Sequence, residues 1–149
     1  MNTNTTAATH TDGRFGFADW AEEPVGESNG VLPRLARATV TNTFSGGIEA
    51  AGTRCSYTIA YVGESVGTYA GMEVLTGSVD GRKGSFVLEE RGGFDAEGTR
   101  CTFEVVPGSG TGELTGLRGS GGFTYRHGEV SVAYTFDYEL PGEVSSRGQ

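Results

Sequence analysis

Apolar and polar residues alternate with a period of two along most of this chain. The clearest case is its last run, where Val132, Tyr134, Phe136 and Tyr138 share one face and Ala133, Thr135, Asp137 and Glu139 the other. Successive side chains on an extended strand point to opposite sides, so the apolar set must face a core. The same parity turns Tyr57, Ile59 and Tyr61 inward with Cys55 in phase, and likewise Cys101, Phe103 and Val105. Phe86 and Leu88 also face in, and one further step of that series brings Glu90 to the inner face. One run is ambiguous: Gly71, Glu73, Leu75 and Val79 compete with Met72, Val74 and Thr76 for the inside.

Eight runs of this character are bounded by turn residues: Arg14–Trp20, Leu35–Phe44, Thr53–Tyr61, Val66–Val79, Ser85–Phe94, Thr99–Val106, Gly119–Arg126 and Val130–Leu140. No window keeps a helical period over three turns. Ala21–Pro33, with Glu22-Glu23-Pro24 and Ser28-Asn29-Gly30, reads as a long loop. Residues 1–12 read as a disordered tail and 141–149 as a flexible one, leaving a single all-β domain over 13–140. Within it, Gly46–Tyr57 recurs 46 residues later as Gly92–Phe103, which predicts one hairpin corner used twice in a β-barrel. Eight strands closed into a barrel leave an interior that is either filled or holds one small ligand.

The glycine-rich stretch Val105–Phe123 invites a phosphate-binding interpretation, which its residues exclude. It contains no Lys to reach a terminal phosphate, and Gly and Thr after Gly112 make a poor helix for a dinucleotide. The stretch reads instead as a reversal between two strands, with Leu114 and Leu117 pinning it to the core.

Composition narrows the partners. A net charge of −8 argues against nucleic acid and anionic membrane, which select basic surfaces, and leaves apolar or cationic small molecules open. No run is long and apolar enough to span a bilayer, and the first residues lack a basic-then-apolar leader pattern, so a cytoplasmic location is expected. Two Cys and two His, none with ligand spacing, predict no metal site. His10 and His127 read as solvated. Cys55 and Cys101 read as buried apolar residues and not as a disulfide or a nucleophile.

The candidates for chemistry are Glu73 and Glu90. A carboxyl among apolar walls has its pKa raised by desolvation and can serve as a general acid near neutrality. The other reading places either one in a salt bridge with Arg37, Arg54, Arg82 or Arg91 at a barrel mouth. Inward Tyr57, Tyr61, Tyr134 and Tyr138 could orient a carbonyl or hydroxyl, or form a core with satisfied hydroxyls. Phe103 and Phe136 add to the aromatic wall, and Trp20 could cover or plug the mouth.

Several motifs together carry a family likeness. Trp20-Ala21-Glu22-Glu23-Pro24, Leu35-Ala36-Arg37-Ala38-Thr39-Val40-Thr41, Gly84-Ser85-Phe86-Val87-Leu88, Pro107–Leu114 and Tyr134–Leu140 resemble the domain of unknown function 3224 family. Where that family commonly has Lys and His, this chain has Asn42 and Glu90. The resemblance implies an allene oxide cyclase-like barrel of eight antiparallel strands with an internal cavity, assembled as a homodimer or homotrimer. The expected function is a cofactor-independent cyclase or isomerase of natural-product biosynthesis, folding a reactive, largely apolar polyene or epoxide inside the barrel. The alternatives are a non-catalytic small-molecule carrier and a structural partner module with a filled barrel.

Overall fold

The computed structural model describes residues 8–27 and 30–141. Eight strands form a closed barrel in which each pairs antiparallel with its sequence neighbours and the first closes against the last. They are β1 (Thr9–Pro24), β2 (Arg34–Gly46), β3 (Ile48–Gly63), β4 (Val66–Val79), β5 (Arg82–Asp95), β6 (Gly98–Val105), β7 (Arg118–Arg126) and β8 (Val132–Glu139). Closure leaves no unpaired edge. Among the described residues no helix is long and apolar enough to cross a membrane.

Burial follows the alternation expected of a barrel with one wet face. Along β8 the residues Val132, Tyr134, Phe136 and Tyr138 are buried and their neighbours are not. The ambiguous strand is resolved in favour of Glu73, Leu75 and Val79, while Met72 and Val74 face out. Register accounts for this: Glu73 lies between Cys55 on β3 and Leu88 on β5, both already inward.

Three expectations need correction. β1 begins at Thr9, so residues 9–12 belong to the barrel and not to a tail. Thr9–Phe15 pairs with Tyr138–Val132, and closure of the sheet orders a segment with little apolar pattern of its own. Residues 1–7 and 142–149 lie outside the described residues. β1 also runs through Ala21–Pro24, paired with Thr39–Ala36, so the predicted loop is shorter than Ala21–Pro33. Lastly, the two repeat copies do not build the same corner. In the second, the chain reverses at Asp95–Gly98, where Asp95 Oδ1 accepts the Glu97 N–H at 2.8 Å. In the first, the reversal falls earlier, at Gly46–Gly47, and the residues matching Asp95–Gly98 lie inside β3 beside a bulge. The two copies agree only further along their strands, where Cys55 and Cys101 are both buried, free thiols on the inner face.

Many glycines lie within strands and not only at turns, where they make room for rings. A Cβ on Gly71 would lie 2.7 Å from Tyr57 Cδ1, and one on Gly92 would lie 2.6 Å from the Tyr69 hydroxyl. Each glycine thus lets an aromatic side chain lie flat against the wall.

The core is unequal along the barrel axis. Phe44, Ile48, Leu75, Phe86, Leu88 and Phe136 fill one end. The glycine-rich crossing after β6 laces along β5, with Thr111 N–H donating to Ser85 O at 2.9 Å. A short 3-10 turn, Gly112–Leu114, then helps place Leu114 and Leu117 in that packed end, both fully buried. Toward the other end, β2 supplies Ala36, Ala38 and Val40, beside Ile59, Tyr57 and Cys55 on β3. Small residues there leave the barrel open.

Candidate functional site

The open half holds a cavity of about 340 Å³. Its lower wall is Phe15, Val40, Ile59 and Phe123; higher up are Tyr69, Phe94 and Tyr125, with Phe17 and Trp20 toward solvent. Trp20 owes its position to a β-bulge. The β1–β2 register slips between Ala18 and Ala21, and Asp19 takes a positive φ of 59°. An extra residue re-aims the side chains beyond it, which is what bulges do beside functional sites. Trp20 then tilts over Tyr57 with ring centroids 6.3 Å apart, and its indole N–H donates to Glu22 at 3.1 Å. Tyr61 donates to the other oxygen of Glu22 at 2.5 Å, and the Arg34 guanidinium lies 4.0 Å from the Tyr61 ring centroid. Burial, then Glu22, pushes the Tyr61 hydroxyl up to about 12.

Asn42 and Tyr57 line this cavity and also a second, smaller void of about 10 Å³, which Glu73 and Glu90 line. That space is close to the least that holds one water. Glu73 is 1% exposed and Glu90 3%. Glu73 Oε2 accepts hydrogen bonds from Asn42 Nδ2 at 2.9 Å and from the Thr53 hydroxyl. Glu90 Oε1 accepts one from the Tyr57 hydroxyl at 2.8 Å. These polar partners replace the arginines of the salt-bridge alternative.

Burial foremost, then hydrogen bonding with Glu73 and its charge, raises Glu90 to about 9. Burial and the Glu90 charge push Tyr57 up as well, and burial followed by Glu90 and Glu73 does the same to Cys55. All three groups therefore keep their protons at neutral pH. Glu73 Oε1 is buried and has no hydrogen-bond partner among the described residues.

The expected site residues divide into three groups. Trp20, Tyr57 and Tyr61 line the cavity, and Glu73, Glu90 and Phe103 gather beneath its floor. Tyr134, Phe136 and Tyr138 belong to the filled end and line neither space. Tyr134 holds the main chain: its hydroxyl accepts from Ile48 N at 2.9 Å and donates to Ser45 O at 2.9 Å. Tyr138 donates to Asp80 Oδ2 at 2.6 Å. Sequence reasoning missed Phe17, Tyr69, Phe94 and Tyr125 as lining residues. Parity along β1 and β7 carried a signal for Phe17 and Tyr125, since each is in phase with an inward Phe. His127 lies at the cavity edge beside Tyr125, and His10 bonds Asp137 at 2.7 Å from within β1.

A family model described as "Protein of unknown function (DUF3224)" matches residues 11–138. The chain belongs to this family. A crystal structure of a DUF3224 protein of unknown function from Shewanella oneidensis MR-1 is 30% identical, with a TM-score of 0.74. The alignment covers 89% of this chain and 98% of that one. No curated protein matches the chain.

Among the described residues of this DUF3224 barrel the donors that could hold a metal are Cys55, Glu73 and Glu90, with one ligand atom of each within 4.8 Å of the others. They come from three strands, which spacing in the sequence could not reveal. Burial favours the protonated thiol and the protonated Glu90, and a metal ion would have to displace both protons. The arrangement fits a proton better. What it offers chemically is two exchangeable protons, on Glu90 and on the Tyr57 hydroxyl bonded to it, at the floor of an aromatic cavity.

Proposed function

We propose that this protein binds one small, largely apolar molecule in the open half of its barrel and acts on it as a cyclase or isomerase that needs no cofactor. One observation carries the proposal: Glu90 is an acid kept neutral at pH 7 and hydrogen-bonded to a tyrosine that forms the cavity floor. A carboxylic acid held protonated in an apolar site can donate where an ordinary carboxylate cannot. In the proposed reaction the Tyr57 hydroxyl turns its proton from Glu90 to an oxygen or double bond of the substrate, and the Glu90 proton replaces it. The proton lost from a neighbouring carbon of the substrate returns to Glu90 through the same hydroxyl, so the product is an isomer. The walls fold the substrate into a reactive shape and exclude water, and positioning of this kind contributes up to about 7–11 kcal/mol in favourable cases. A polyene or epoxide of natural-product biosynthesis is the substrate class we propose.

A second reading, a carrier that leaves its ligand unchanged, is favoured by the fact that neither carboxyl lines the larger cavity. One experiment separates them. Trp20, the single tryptophan, reports binders by its emission. Each binder is then incubated in deuterated water with the native protein, Glu90→Gln and Tyr57→Phe, and analysed by mass spectrometry. The enzyme proposal expects an isomer carrying solvent deuterium where carbon is protonated, and a loss of about 10²–10⁴-fold in rate in both variants with binding retained. Recovery of every binder unchanged would leave the carrier.

A further inference from the structure

The cavity walls present aromatic rings at steep angles to one another. Tyr61 and Phe94 meet at 77°, Tyr57 and Tyr69 at 77°, and Phe17 and Tyr125 at 90°, so the space is walled by aromatic rings packed edge to face. An aromatic face carries partial negative charge and attracts a cation lying over it. The structure already shows this once, in the Arg34 guanidinium above Tyr61.

Fixed charge points the same way. No Lys or Arg is among the residues lining the cavity, whereas Asp95 is. Each of the four connections at the open end carries an acid: Glu27, Glu64, Glu97 and Glu129. The end of β1 adds Asp19, Glu22 and Glu23. Against these stand Arg34, Arg37, Arg100 and Arg126. At the filled end Arg14, Arg82, Lys83 and Arg118 offset most of the acids. The mouth thus carries a net negative charge, which would raise the local concentration of a positive ligand.

We infer that the ligand of the open half is an organic cation, with an apolar body among the rings and a substituted ammonium or similar group at the acidic rim. This rests on ligand binding in the open half, as proposed above, and adds a charge to the substrate. An anion would meet the rim acids and find no Lys or Arg within. A neutral molecule would use the walls but leave the rim without a purpose.

Three probes of one shape test it: benzyltrimethylammonium, its uncharged carbon isostere neopentylbenzene, and phenylmethanesulfonate as the anion. Binding to the full chain is followed by Trp20 emission and confirmed by calorimetry. The cation is expected to bind about tenfold or more tighter than the isostere at low salt, and the difference should shrink as salt is raised. Asp95→Asn should weaken the cation several-fold and leave the isostere unchanged. An isostere or anion that binds as tightly as the cation overturns the charge assignment while leaving the cavity a binding site. If none of the three binds and Trp20 emission does not change, binding in the open half itself is refuted.

Discussion

Replacing Glu90 by glutamine probes whether a neutral acid lies beneath the cavity. An ordinary glutamate ionises near 4.5, and burial next to Glu73 moves Glu90 to about 9. Between those values the folded protein keeps a proton that the unfolded chain has released. Folding stability therefore falls with rising pH, by about 1.4 kcal/mol per unit for one proton. The penalty is absent below pH 4.5, reaches roughly 3 kcal/mol at pH 7, and levels off at roughly 6 kcal/mol above pH 9. Glutamine preserves the shape: its carbonyl can accept from Tyr57, and its amide can donate to Glu73 Oε1. Glu90→Gln should therefore be more stable than the native protein by about 3 kcal/mol at pH 7 and no more stable near pH 4. In urea that is a midpoint shift on the order of 1–2 M. The assay is urea unfolding, read by Trp20 emission, on both proteins at about pH 4.5, 7 and 8.5. Groups remote from position 90 cancel in the difference. Parallel stability profiles across that range would show that Glu90 is not held neutral, and would remove the proton donor from the proposed function.

Trp20→Ala should cost little stability, since Trp20 is half exposed, yet weaken ligand binding measured by calorimetry about tenfold or more by removing an aromatic wall from the mouth. Tyr134→Phe should do the reverse: it strips Ile48 N–H and Ser45 O of their partner and should cost about 1–3 kcal/mol in urea unfolding, with ligand affinity unchanged. Light scattering should return a dimer or trimer of the 15.6 kDa chain, and a monomer at high concentration would end that expectation.

Strand positions were legible because each strand repeats a period-two pattern against the barrel interior; Val66–Val79 was recovered to the residue. The face of β4 was not, because Met72 and Val74 make its outer face as apolar as its inner one. Only register with Cys55 and Leu88 decides that. Glu90 could be placed inside by extending a parity, but its partner acid came through the ambiguous strand. The division of the barrel into a filled and an open end was likewise hidden. Inward tyrosines look alike in a sequence. Tyr134 differs from Tyr57 only in what its hydroxyl meets across the barrel: main chain in one case, Glu90 in the other. Trp20 lines the cavity because one extra residue in β1 shifts the register, and no local composition around Asp19 announces a bulge.

The carboxyl pair is hard to explain by the fold alone. Replacing buried charged or polar clusters with well-packed apolar residues is often neutral or stabilising. At this depth a leucine or glutamine in place of Glu90 would relieve a pH-dependent penalty of several kcal/mol. The packed end shows that the barrel can be closed with hydrocarbon: Leu75, two residues along β4 from Glu73, is fully buried. The acids lie where that filling stops. Their void shares Asn42, Tyr57, Phe15 and Phe123 with the aromatic cavity above, and of these only Asn42 and Tyr57 carry polar groups. Local rules of packing and polar satisfaction are broken most usefully at functional sites. Here the break coincides with the boundary between core and cavity. That coincidence, more than the presence of an acid, is the reason to look for chemistry at the Tyr57 hydroxyl.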